Sequence, residues 1–497
     1  MIRPTRIAFF LAACLLPIGS PVCPAQGPSP LPPLNAEQKQ SIDSFVASEL
    51  ARQRIPGLAL GIYSRGTILL AKGYGLSNIE LNVPVKPETI FQSGSVGKQF
   101  VSAAIMMLVE EGKLSLDDSI TKFFPDAPAS WKPILIKNLL SHTSGLSEYE
   151  SDDRTGPNGP FYLRLDFSED ELAKKIEALP IEWSPGERWA YRNTNYVLLG
   201  IIVHKITGER YDQFLAERIF KPLGMTSTRL ISEHDILPNR AAGYEVDDGQ
   251  LKNQEWVSPT FNSTADGALY FNVLDLARWD EALYGTRLLK QSSLDRIWAV
   301  YPLNDGKPNP AGYGFAWEIG LQNGHKRIEH GGAWQGFTCN IARYPDDSLT
   351  VVVLTNLDAG HSDPGSISHV VAGMVASPLL PARLATIADD RPAIAAKLAK
   401  VLDMAVAGQD LRALATPEIA ARLGPGSAKR LQSMFAPLWP GGTLTLVKRQ
   451  SSNQHPGELV STFRLSKGSN AMLINFGEDP EGKIATFGVS PDRPYED

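Results

Sequence analysis

The sequence predicts an α+β protein in two parts, on three observations. A chain of 497 residues exceeds the roughly 250–300 at which a single hydrophobic core stops growing. A helical pattern over residues 36–54 runs into two extended segments, LALGIYSRGTILLAKGYG. Near residue 385 the texture changes: helical segments are followed by the alternating strands TLTLVKRQ, ELVSTFRL, NAMLINF and KIATFGV. Helices first and antiparallel strands after predict a small accessory α+β domain over 385–497.

A leader comes before the fold. Arg3 and Arg6 precede the apolar run IAFFLAACLLPIG, and PVCPA ends in small residues, the layout of a secretory signal peptide over residues 1–25. Export is therefore expected, to a bacterial periplasm or the extracellular space. The alternative is a lipid anchor on Cys14, because Leu11–Cys14 (LAAC) resembles a lipobox. Residues 26–35, QGPSPLPPLN, read as a Pro-rich linker. Cys14 and Cys23 leave with the leader, so Cys339 has no internal disulfide partner. No later apolar run reaches ~18 residues, so no transmembrane span is expected in the mature chain. A net charge of −6 with no long basic run argues against nucleic acid as a partner, and a small-molecule or peptide substrate is expected instead.

Within the body, residues 36–384, the first helix runs from Ala36 to about Arg54 and places Ile42, Phe45, Val46 and Leu50 on one face. The strand pair turns at Ser64-Arg65-Gly66. Helices are predicted over 168–179, where Ser168 and Glu171 have capping-box spacing, over 193–218 and over 273–284. VVVLTN at 351–356 reads as a buried strand.

The chemistry-bearing stretch is FQSGSVGK (91–98), followed by QFVSAAIMMLVEEGKL. Ser95 and Lys98 are one helical turn apart on the same side. At a helix start the free amides and the dipole favour negative charge, which suits an attacking serine and an oxyanion. Lys98 lies among apolar residues, and burial favours the neutral amine that can accept a proton. The spacing alone is common: Ser119-Ile-Thr-Lys122 also matches, but no helix is predicted to host it. Tyr-x-Asn occurs twice as well. Tyr191-Arg192-Asn193 follows the turn SPGERWA and opens a helix, whereas Asn272 of Tyr270-Phe271-Asn272 is better explained as a helix N-cap. A phenolate at Tyr191 would need positive charge nearby, and Lys98 is the candidate. His330-Gly331-Gly332 comes third, its glycines allowing close backbone approach and its next amide, Ala333, available to an oxyanion hole.

Taken in order, Ser-x-x-Lys, LLSHTSGL (139–146), WSPGERWAYRNTNYVLLG (183–200) and His-Gly-Gly resemble the serine β-lactamase and penicillin-binding-protein-like hydrolases of the class C type. KPLGM (221–225), ADGALYFNVLDLARW (265–279) and GYGFAWE (312–318) extend the resemblance over about residues 37–380. It implies a β-lactamase/transpeptidase-like fold: an antiparallel sheet flanked by helices, beside a helical subdomain, with the site at their junction. It also implies roles. Ser95 would be the acylated nucleophile, Lys98 its activator and Tyr191 a proton relay to the leaving group and from water. Asn193, His330, Gly331 and Gly332 would contact substrate, and the amides of Ser95 and Ala333 would form the oxyanion hole. No metal or organic cofactor is implied.

Class C β-lactamases usually carry Lys-Thr-Gly where this chain has His330-Gly331-Gly332, and that lysine helps hold a substrate carboxylate. A histidine of reference pKa about 6.5 is mostly neutral at pH 7, so an ester, amide or D-amino-acid peptide bond is the expected target, with β-lactams poor substrates. On the same reasoning a lysine at position 330 is expected to give a modest gain in β-lactam turnover where the rest of the pocket permits. An α/β-hydrolase elbow is absent, because Ser93 and not glycine stands two residues before Ser95. A metal site would have to use the isolated set His361, Asp363 and His369. A penicillin-binding module that acylates without turnover is the remaining alternative. Residues 150–165 are expected to form a loop over the site and to choose among acyl groups.

Overall fold

The computed structural model describes residues 29–247, 249–380, 384–424, 426–451, 459–468 and 470–492. The leader, with Cys14 and Cys23, lies outside the described residues. From Leu31 onward the Pro-rich stretch is docked and not free: the Leu31 amide donates to Ser64 Oγ (2.8 Å), and Leu34 is buried. Asn35 then caps the first helix, Ala36–Gln53, in a capping box with Gln38, and Arg54 closes it in the left-handed region.

A seven-stranded antiparallel sheet forms the centre. From one edge to the other its strands are Val83–Pro84, Thr67–Asn78, Gly57–Ser64, Leu349–Thr355, Phe337–Tyr344, His325–Trp334 and Glu318–Gln322. The first hairpin turns on Arg65 and Gly66, both at positive φ, as a two-residue loop requires. Strand alternation divides the apolar residues between two cores. Leu58, Leu60, Ile62, Val351 and Val353 pack with Ile42, Val46, Ile367 and Val371, beneath the helices Ala36–Gln53 and Pro364–Val375. Ala59, Tyr63, Val352 and Leu354 join the other, larger core, which holds the helical subdomain. Burial on both faces explains why these strands read as unbroken apolar runs.

Two features of this frame position the site. The edge strand Glu318–Gln322 pairs only as far as Glu318 with Glu329, which leaves the neighbouring strand's residues 330–334 free of a partner on that side. The helix Lys98–Glu110 runs through the larger core, with Phe100 against Trp279 (4.5 Å between ring centroids) and Phe220 (5.3 Å). The helix predicted over 193–218 is broken. Asn193–Thr207 ends at Gly208, which takes φ +76, and Tyr211–Leu215 begins a second helix that widens into a π turn over Ala216–Phe220. Glycine at the left-handed C-cap outweighed the continuing apolar pattern. The helices Glu169–Glu177, with its Ser168–Glu171 box, and Val273–Ala282, capped by Asn272, stand where the sequence put them.

Residues 392–491 build a separate four-stranded antiparallel meander covered by helices Pro392–Val406, Pro417–Leu423 and Ser427–Phe435; the last of these has no counterpart in the sequence reading. Its core, around Leu398, Leu402, Phe435, Phe463 and Ile474, contains no residue of the body. A chain ending near residue 383 is therefore expected to keep a cooperative thermal transition and acylation at Ser95. A folded truncation that no longer acylates would show that the C-terminal unit helps build the site.

Candidate active site

Ser95 lies in a single 3-10 turn, Gly94–Gly97, that opens directly into the helix Lys98–Glu110. Every residue from Lys98 to Leu108 is buried, and Lys98 is the one charge among them. The turn is clamped on two sides. Ser93 Oγ donates to Gly267 O (2.8 Å) and accepts from the Leu269 amide (3.1 Å), while Cys339 Sγ donates to Ser93 O (3.0 Å). The strand's open segment approaches so closely that only glycine fits. A Cβ on Gly332 would fall 2.2 Å from Ser93 O, and one on Gly94, at φ +45, would fall 2.3 Å from the Ala333 amide nitrogen. Ala333 is thus brought beside the nucleophile turn, and Ser95, Asn193 and Ala333 line one small cleft.

Lys98 Nζ donates to Ser95 Oγ (2.9 Å), to Asn193 Oδ1 (2.8 Å) and to the carbonyl oxygen of Asp266. Those three acceptors match the three protons of an ammonium. Burial pulls the Lys98 pKa from 10.5 down to about 8, against the opposing pull of Asp266, Glu150 and Glu148. Asn193 is an internal bridge: its amide N–H donates to Glu148 Oε2 (2.6 Å) and its Nδ2 to Glu150 Oε2 (2.6 Å).

Tyr191 differs from expectation in its charge. Lys98 Nζ lies 5.0 Å from the centroid of its ring. Burial holds the phenol well above its usual pKa, and nearby Ser95 only partly opposes this. Tyr191 is therefore a neutral phenol, and its buried hydroxyl makes no hydrogen bond within ordinary geometry among the described residues. Tyr270, of the second Tyr-x-Asn, is in a short strand against Phe91–Gln92, and Asn272 accepts from the amides of Leu274 and Asp275. The second Ser-x-x-Lys is likewise structural. Ser119 donates to Lys132 O (2.8 Å), and Lys122 pairs with Asp118 (2.9 Å).

His330 is buried, and both its nitrogens are engaged. Gly331 O can only accept, so Nδ1 carries the proton; Nε2 then accepts from Tyr313 Oη (2.8 Å). Enclosure pulls its pKa down to about 4, so the ring is neutral. The neutrality agrees with the sequence reading, and the pocket a lysine at 330 would need is a tight one. An ammonium there would replace an enclosed ring bonded to Tyr313 and would be buried beside Lys98. His361, Asp363 and His369 disperse to Asp358, to the Ser366 amide and to Glu329, respectively.

Sequence reasoning missed the shell around Lys98. Glu148 lies just after LLSHTSGL and Asp266 is inside ADGALY, and both phrases carried the resemblance without suggesting a role for these carboxyls; Glu150 opens the 150–165 stretch expected over the site and lines the cleft with Ser95, but its bond to Asn193 was not foreseen. His142, at φ +58, was missed too: its Nδ1 accepts from the Arg192 amide (3.3 Å) and from Asn195 Nδ2 (3.0 Å), and its ring packs 4.3 Å from that of Tyr191. A cavity of about 1100 Å³ lies elsewhere and has none of the catalytic candidates in its wall.

A serine hydrogen-bonded to a buried lysine, at the junction of an antiparallel sheet and a helical subdomain, defines a class of protein. The sequence profile of the Beta-lactamase family matches residues 42–372, and the chain belongs to that family. Penicillin-binding protein 4* of Bacillus subtilis (strain 168) is 30% identical over 320 residues, covering 59% of this chain and 68% of that protein. Protein flp of Staphylococcus aureus (strain MRSA252) is 28% identical over 345 residues, 68% of this chain and 66% of its own length. The chain thus spans about two thirds of these curated relatives. Among solved structures, the octameric penicillin-binding protein homologue from Pyrococcus abyssi superposes with a TM-score of 0.61 at 24% identity, over 90% of this chain and 94% of that one. A D-stereospecific amidohydrolase from Streptomyces sp. gives 0.53 at 23% identity, over 66% and 95%. Both share the fold.

The close approach at Gly332 yields a prediction. Gly332→Ala drives a methyl group into the Ser93 carbonyl, so the strand must retreat from the turn. A loss of about 1–3 kcal/mol in stability and roughly a hundred-fold in acylation rate is expected, read by thermal melting and by active-site labelling. Unchanged labelling kinetics would show that the approach is not required.

Proposed function

We propose that the chain is an exported serine hydrolase that acylates Ser95 and cleaves ester or amide bonds, D-amino-acid peptide bonds among them. The contact between Lys98 Nζ and Ser95 Oγ, in a setting that lowers the lysine's pKa to about 8, is the observation that carries this reading. When the ammonium loses one proton, two remain for Asn193 Oδ1 and Asp266 O. The lone pair then faces Ser95, whose hydroxyl turns to donate. As Oγ attacks the substrate carbonyl, its proton passes to Lys98, and the oxyanion faces the amides of Ser95 and Ala333. The neutral Tyr191 phenol gives its proton to the leaving group as the intermediate collapses and regains one from Lys98. Water then repeats the sequence on the acyl-enzyme.

The substrate preference follows from His330. A neutral imidazole engaged with Tyr313 and Gly331 offers no cation to a substrate carboxylate. β-Lactams and other anionic acyl donors should therefore be turned over slowly, and uncharged esters and amides better. Export is supported by the leader sequence.

Ser95→Ala is expected to remove p-nitrophenyl ester hydrolysis, while Ser119→Ala changes little. A fluorophosphonate found on any peptide without Ser95 would sink the assignment. Tyr191→Phe is expected to lower kcat by about 10²–10⁴ with little change in KM, because the phenol acts in proton transfer. A larger effect from Tyr270→Phe would reverse the choice between the two tyrosines.

A further inference from the structure

We infer that His142 is the positioning residue that aims the Tyr191 phenol at Ser95. This rests on the proton-relay role given to Tyr191 above and names the group on which that role depends. The Tyr191 hydroxyl makes no hydrogen bond within ordinary geometry among the described residues. Its aim therefore comes from the backbone that carries it and from the rings beside it. His142 supplies both. Its backbone carbonyl accepts from the Ala190 amide (3.0 Å) and its Nδ1 from the Arg192 amide (3.3 Å). One histidine thus holds the residues on either side of Tyr191. Its ring packs 4.3 Å from the phenol ring, nearer than those of His330 (6.1 Å) or Tyr313 (6.3 Å).

The grip is itself fixed. A backbone N–H can only donate, so Nδ1 is unprotonated and Nε2 carries the ring proton. Asn195 Nδ2 also donates to Nδ1 (3.0 Å), and Ser144 Oγ orients that side chain by donating to Asn195 Oδ1 (2.6 Å). Burial, with Lys98 and His330 nearby, holds the imidazole well below its usual pKa, so the ring stays neutral and Nδ1 stays an acceptor. The backbone of His142 is left-handed (φ +58), and the residues after it continue the seam. Thr143 O accepts from the Gly186 amide (2.7 Å) and Gly145 O from the Glu182 amide (2.8 Å). At Gly145 the two segments are so close that a Cβ would fall 2.0 Å from Trp183 O. LLSHTSGL is thus the seat on which the Tyr191 segment rests, with His142 directly beneath the phenol.

The test is a double-mutant cycle on steady-state hydrolysis of p-nitrophenyl butyrate by the whole chain. His142→Gln removes the ring and moves the acceptor from the Nδ1 to the Nε2 position. It should lower kcat roughly ten- to a hundred-fold with KM within about twofold, because the relay and not substrate binding is disturbed. In a Tyr191→Phe background the same change should cost less than about threefold, since its effect passes through the phenol. His142→Asn keeps an acceptor near the Nδ1 position and tolerates the left-handed backbone, but it lacks the ring. Its loss should be smaller, about three- to tenfold, and should also disappear in the Tyr191→Phe background. It serves as the test if the Gln variant does not fold. Wild-type kcat in His142→Gln (or in His142→Asn where it stands in), or a loss of equal size in both backgrounds, would overturn the inference while leaving the hydrolase reading intact. Unimpaired turnover by Tyr191→Phe alone would overturn the relay role and the inference together.

Discussion

The site depends on a lysine ammonium taken entirely out of water. Lowering the Lys98 pKa from 10.5 to about 8 corresponds to ~3 kcal/mol of unfavourable interaction with the charged form. A buried cation persists only where its hydrogen bonds are met, and here the three acceptors are a serine hydroxyl, an asparagine side chain and a backbone carbonyl. Each comes from a different segment. Ser95 is on the same turn, Asn193 opens a second helix, and Asp266 belongs to the loop that also clamps Ser93 through Gly267. The cost of burial is thereby tied to the assembly of the catalytic residues.

Around that core the sheet acts as a rigid reference. The strand bearing His330–Ala333 is held by Phe337–Tyr344 on one side, and on the other its last residues are free to meet the nucleophile turn. Glycines 94 and 332 set how near the two backbones come. On the helical side, His142 and Tyr313 pack against Tyr191 and His330, so the phenol and imidazole are fixed by ring contacts and a short hydrogen-bond chain. The candidate catalytic groups thus come from both halves of the fold, and neither half holds all of them.

Local signals were legible in the sequence. The capping box at Ser168–Glu171, the Asn272 N-cap, the Arg65-Gly66 hairpin and the two-faced strands all follow from short-range rules, and the structure has them. Ser95, Lys98 and Tyr191 were legible because their spacing sits beside helix starts. The shell was not. Glu148, Glu150 and Asp266 reach Lys98 only through tertiary packing, and a lone acidic residue in a loop reads as solvated. Likewise a His-Gly-Gly phrase cannot reveal that Tyr313, seventeen residues earlier, already occupies the imidazole. Gly208 was visible as a letter, but an uninterrupted apolar period on both sides masked its role as a helix stop.

The claim that a desolvated Lys98 is the base is tested most directly by the pH dependence of single-turnover acylation of Ser95 by a neutral ester. With a pKa of about 8, roughly a tenth of the lysine is neutral at pH 7, and that fraction grows as pH rises. The acylation rate should therefore climb roughly tenfold per pH unit below about 8 and level off above it, and the limb should vanish with the residual activity of Lys98→Met. A rate that is flat from pH 6 to 9, or a limb that persists in Lys98→Met, would contradict the account.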